Sequence, residues 1–165
     1  MEKEILLIFK THLDVGFTDY SKKIVDNYLN IFIPNAIKVG YELKDTKTPF
    51  IWTTGSWLIW KALKQDDGTV AKAIEDGIIS WHGLPFTTHT ELMNKALFEY
   101  GVSISEQLDK RFGRKTIAAK MTDVPGHTLG MVPILQKHRI EFLHIGVNGT
   151  VQLHISKWID LFYHT

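Results

Sequence analysis

The sequence predicts an α/β fold in which parallel strands alternate with helices. Two observations carry this. Five short apolar blocks are spread evenly along the chain, and the segments between them carry helical spacing of apolar residues. Length and composition set the frame: 165 residues, 44% apolar and 22% charged, with a net charge of +1. That suits one ordinary domain or part of a larger one. It excludes a disordered charged tail and gives no global basic field for nucleic acid. There is no cysteine, which excludes disulfides, zinc fingers and thiol nucleophiles.

Ile5 to Phe9 is a continuous apolar run of the kind that forms a strand buried on both faces. It is far too short to span a bilayer and no small-residue cleavage site follows, so a soluble cytoplasmic protein is expected. Ser21 to Leu43 has helical spacing through Ile24, Tyr28, Ile31 and Ile37, and Pro34 is expected to break or kink it. Phe50 to Thr53 reads as the second strand and Ser56 to Leu63 as a short helix. Thr69 to Asp76 reads as another helix, with Gly77 as its stop, before a third strand over Ile78 to Trp81. Thr88 to Phe112 is the longest helical pattern, opened by a Thr88/Glu91 capping box. A fourth strand over Thr116 to Met121, a helix over Thr128 to Lys137 and a fifth strand over Phe142 to Val147 complete the series. The order argues right-handed crossovers in a parallel sheet, either doubly wound or part of a barrel.

Ligands in such folds bind at the carboxyl ends of the strands. After the first strand, His12 and Asp14 lie two residues apart, so in extended chain both point the same way. An imidazole and a carboxylate side by side suit a zinc-like ion, although a hydrogen-bonded loop pair gives the same spacing. After the fourth strand, Asp123 precedes a Pro-Gly turn, where it can ligate a metal, act as nucleophile or base, or cap the next helix. After the third strand come His82, His89 and Glu91, of which His82 is the stronger site candidate. Tryptophans 52, 57, 60 and 81 cluster around the second and third strands. Aromatic faces beside carboxylates suit sugar rings, whereas Trp60 reads as core. No Walker loop or G-x-G-x-x-G supports nucleotide chemistry.

At these residues a family resemblance emerges. His12-Leu13-Asp14-Val15-Gly16-Phe17 resembles the His-x-Asp-x-Gly-aromatic motif of family 38 glycoside hydrolases, the α-mannosidases. Met121-Thr122-Asp123-Val124-Pro125-Gly126-His127-Thr128 resembles that family's second motif. The likeness spans about Lys3 to Asn148 and is to an uncharacterised bacterial branch. It implies a partial seven-stranded (β/α) barrel of the glycoside hydrolase/deacetylase type, one zinc ion and a retaining mechanism. By position, His12, Asp14 and Asp123 would be the metal ligands, with Asp123 also the nucleophile. Phe17 would be a sugar-stacking aromatic, and Trp81, His82 and His127 would contact substrate. The metal could equally be manganese or nickel on these ligands alone.

The family's fourth ligand, a histidine, and its general acid/base carboxylate would fall beyond residue 165. Residues 1–148 are therefore expected to be a partial barrel domain, the N-terminal part of a longer glycosidase. Residues 149–165 form an atypical tail outside the family pattern. Expected partners are an α-mannoside-like carbohydrate and, through exposed barrel edges, other copies of the chain, with no nucleic acid and no membrane. Two alternatives stand beside this reading: a metal-dependent carbohydrate deacetylase, and a non-catalytic sugar- or metal-binding remnant.

Overall fold

The computed structural model describes residues 7–124 and 126–146. Their strands are β1 (Phe9–Lys10), β2 (Trp52–Gly55), β3 (Ile79–His82), β4 (Ala118–Thr122) and β5 (Phe142–Gly146). Every pairing is parallel, as the alternation with helices requires. The strands form a three-stranded sheet, β1-β2-β3, and a two-stranded sheet, β4-β5. No closed barrel forms among the described residues. Ile5 and Leu6 of the first expected strand, Val147 of the fifth and the tail 149–165 lie outside the described residues. No helix among them is long and apolar enough to cross a membrane.

The two sheets nearly join. One bond, Gly83 N–H to the Ala118 carbonyl at 2.9 Å, links the end of β3 to the start of β4. Beside that bond, a Cβ at Gly83 would sit 2.4 Å from Ile140 Cδ1, so glycine leaves room for the Ile140 side chain of the β4-β5 core.

The helices are α1 (Ser21–Asn27), α2 (Ile33–Leu43), α3 (Ser56–Ala62), α4 (Thr69–Glu75), α5 (Lys95–Phe112) and α6 (Met131–Lys137). The first helical segment divides into two α-helices, α1 and α2, but the division falls upstream of Pro34 and the chain stays helical through it. Pro34 lies in the first turn of α2, and the chain upstream widens into a π-helical stretch, Tyr28–Phe32. There Ile33 N–H donates to the Tyr28 carbonyl, five residues back. Proline has no N–H and its ring crowds the carbonyl four residues earlier, so a wider turn absorbs it without ending the helix.

The expected capping box is a second difference. Helix α5 starts at Lys95, where Asn94 Oδ1 accepts Leu97 N–H at 2.9 Å. Thr88 to Met93 is instead a loop with one 3-10 turn, Thr90–Leu92. Thr88 is buried and its N–H meets Met121 Sδ at 3.4 Å, which ties the segment to β4 before the helix begins.

Two apolar clusters fill the helix side of the sheets. One gathers Ile33, Ile37, Trp52, Leu58, Ile59, Ile74, Ile79, Trp81 and Leu108 around β1-β2-β3. The other gathers Leu84, Phe98, Val102, Met121, Met131, Leu135 and Ile140 around β4-β5. Helix α5 serves both, with Leu108 in the first and Phe98 and Val102 in the second. Side chains alternate along each strand. Trp52, Thr54, Ile79, Trp81, Ala119 and Met121 are buried, whereas Thr53, Ser80 and Lys120 are only partly covered.

Asn94→Ala is expected to lower stability by about 1 kcal/mol in urea unfolding, the usual cost of a lost N-cap. Glu91→Ala should change it by less than about 0.5 kcal/mol, as for an exposed residue without such a role. The reverse order would restore the capping box.

Candidate metal centre

The carboxyl ends of β1 and β4 carry a cluster of three ligand-type side chains. His12 Nε2 lies 3.2 Å from Asp14 Oδ2 and 3.7 Å from Asp123 Oδ2. One donor atom from each residue lies within 4.8 Å of the other two. The side chains are 36%, 32% and 41% exposed for His12, Asp14 and Asp123, so solvent and a ligand can reach them.

Each half of the cluster has a local cause. Thr11 N–H still donates to the Thr53 carbonyl of β2 at 3.1 Å, and beyond it Leu13, between the two ligands, is 3% exposed in the first core. Burying Leu13 turns its neighbours outward together. Tyr28, in the π-helical stretch, donates from its hydroxyl to the His12 carbonyl at 3.3 Å. Burial, with the Asp14 charge beside it, pushes the Tyr28 phenol up from its ordinary pKa. Asp123 is held differently. Its φ is +66°, a left-handed conformation that Asp tolerates better than most residues. Its N–H still donates to the Gly146 carbonyl of β5 at 3.1 Å. The chain therefore stays bonded to the sheet while turning sharply at the carboxylate.

Lys10 Nζ reaches Thr122 Oγ1 at 3.4 Å, beside Asp123. Burial, and then the neighbouring Lys120, pull the Lys10 ammonium down to about 8. Neither Lys10 nor Tyr28 is marked by a motif. Tyr28 carries only helical periodicity, and Lys10 only its place at a strand end.

The other expected site residues fall in separate places. Phe17 is 87% exposed in the loop after the cluster, with Gly16 at φ +83° before it. His127 is buried behind the β4 turn, its Nδ1 3.3 Å from Thr90 Oγ1, which also accepts Thr128 N–H at 3.1 Å. Its Nε2 is buried with no hydrogen-bond partner among the described residues. Burial, and then nearby His89, pull its pKa down. His82 lies on the partly open face of β3 with Lys10 and Lys120. Its Nδ1 accepts Leu84 N–H at 3.3 Å, and burial together with these two cations pulls its pKa down to about 3.

Trp81 is not brought to the cluster. It is one residue from His82 and so points to the helix side, where its indole N–H donates to Asp109 Oδ1 at 3.0 Å. Trp52 is likewise buried, its indole N–H on Thr11 Oγ1 at 2.8 Å. Trp57 stands edge-on to Phe86, and Trp60 lies under Lys64 Nζ. The four tryptophans thus pack against the protein's own side chains. No protein-family model and no curated protein matches the chain.

Two outcomes follow from this geometry. Asp123→Ala should be less stable than Asp123→Asn by about 1 kcal/mol in chemical unfolding, because Asn tolerates left-handed backbone and Ala does not. Equal stability would mean that the turn relaxes. His82 gives a pH dependence. Its folded pKa of about 3 lies below the ordinary 6.5, so the unfolded chain takes up the proton first as pH falls. Its stabilising contribution is full above pH 6.5 and is lost between 6.5 and 3. Thermal melts of His82→Gln should show a shallower acid decline across that window, and parallel profiles would contradict it.

Proposed function

We propose that the chain is an α-mannosidase-like glycoside hydrolase domain that holds one zinc ion on His12, Asp14 and Asp123, with Asp123 as nucleophile. The observation that carries this is the meeting of His12, Asp14 and Asp123 from strands that are not neighbours. Strand β1 is separated from β4 by β2 and β3, about 14 Å across a flat sheet at ~4.8 Å per strand. Yet His12 and Asp123 approach to 3.7 Å, and Lys10 spans to Thr122. The strands must curl toward each other, as in a barrel wall, and we read the five strands as part of the seven-stranded type.

The donor set fits zinc: one imidazole nitrogen and two carboxylate oxygens, partly open to solvent, as in centres that keep a position for substrate. When bound, zinc supplies Lewis acidity toward sugar hydroxyls. The rest is work for the chain's own groups. The Asp123 carboxylate would attack the anomeric carbon as the glycosidic C–O bond breaks, giving a covalent glycosyl-enzyme through an oxocarbenium-like transition state. A second carboxyl group must protonate the leaving oxygen and later activate water. None of the cluster's three residues is assigned that task. Phe17, exposed close after the ligands in the chain, would offer its ring to the apolar face of the sugar.

Calorimetric titration with zinc should show one site per chain. His12→Ala and Asp14→Ala should each weaken it by more than the roughly 10–100-fold that losing a ligand's supporting hydrogen bond costs. Any zinc-dependent release of nitrophenol from an aryl α-mannoside should vanish in Asp123→Asn. Turnover retained in that variant would remove Asp123 from the chemistry, and release of acetate from an acetylated sugar would select the deacetylase instead.

A further inference from the structure

A cavity of about 590 Å³ opens on the partly uncovered face of the strands and crosses the seam between β3 and β4. Its polar lining is one-sided in charge. Lys10 comes from β1, His82 from β3, Lys120 from β4 and His144 from β5, and among the described residues no Asp or Glu lines it. Two other cations on the lining are already engaged. Arg114 donates to the Ile79 and Ile74 carbonyls, and Lys115 pairs with Glu141 at 3.5 Å. Lys10 and Lys120 are different: they are electrostatic neighbours, Lys10 donates to the neutral Thr122 hydroxyl at 3.4 Å, and neither lysine forms an ion pair among the described residues. Two like charges side by side in a partly apolar hollow repel each other, and the low local dielectric strengthens the effect.

An anion between them would remove that repulsion and gain charge-assisted hydrogen bonds. Neutral donors stand beside the lysines. Nδ1 of His82 accepts a backbone N–H, which leaves its proton on Nε2, and Ser80 and Thr53 add hydroxyls to the same lining. Apolar walls from Ile8, Ile117 and Phe142 leave room for more than the anion alone.

From this juxtaposition we propose that the cavity is a binding site for a phosphoryl oxyanion, held between Lys10 and Lys120 with His82 as a neutral donor. The cavity lining shares no residue with the His12, Asp14 and Asp123 cluster, and the proposal does not depend on the glycosidase reading. The oxyanion could be free phosphate or the ester group of a small phosphorylated sugar, and the two are separable by experiment.

The test is calorimetric titration with inorganic phosphate at low ionic strength, with EDTA present so that a bound cation plays no part. Saturable binding of one phosphate is expected, with chloride at matched ionic strength giving none. Lys120→Met should weaken binding by about tenfold or more, the loss of one charge-assisted contact, whereas Lys38→Met on the surface should not. Without phosphate, Lys120→Met should melt no lower than the unaltered chain, since a like-charge neighbour is gone. Should that variant fail to fold, reductive methylation of the unaltered protein decides: phosphate should protect Lys10 and Lys120 and leave Lys38 reactive. A hexose 6-phosphate binding tighter than phosphate identifies the ester as the ligand, and equal affinity identifies the free ion. Binding matched by chloride, unchanged in Lys120→Met, present only without EDTA or giving no lysine protection would overturn the proposal.

Discussion

The arrangement depends on the approach of β1 to β4. These strands belong to different sheets, yet His12 stands 3.7 Å from Asp123, and Lys10 reaches the hydroxyl of Thr122. Without that curl His12 and Asp14 would be a loop pair and Asp123 a lone turn residue. The curl also creates the concave face into which Lys10, His82 and Lys120 project. Right-handed strand twist supplies the tendency. The near-break between β3 and β4, crossed by the Gly83–Ala118 bond, gives the sheets a place to bend.

A polar clasp on the helix side fixes the bend. Asp109, near the end of α5, accepts the Trp81 indole N–H, and also the Thr116 N–H and hydroxyl at 2.7 Å each. Arg114 stacks over Trp81, with its guanidinium carbon 5.0 Å from the ring, and donates to carbonyls of α4 and β3. One helix end thereby sets where β4 starts relative to β3. The same helix feeds apolar side chains into both cores. A change at Asp109 would thus act at a distance on where Asp123 meets His12.

The opposite face is left partly bare. Parallel sheets are ordinarily covered on both sides. Here Ile8 and Phe142 are 78% and 60% exposed, and cations lie among them. Apolar exposure at sheet edges favours self-association, while repulsion between like charges opposes simple stacking of two such faces.

The sequence by itself determined the parallel α/β order, because apolar blocks and helical spacing are local properties of the chain. It also marked His12, Asp14 and Asp123, since strand-end position and period-two alternation follow from backbone geometry alone. It could not rank Asn94 against Thr88 as the start of α5. Both are good caps, and the choice fell to Thr88 being buried against Met121. Nor could it tell that Pro34 would be absorbed by a π-helical turn, or that the tryptophans would face the helices. Only tertiary structure decided those, along with the approach of the end of β1 to the end of β4. Each turns on contacts between segments far apart in sequence, whose energies no local pattern contains.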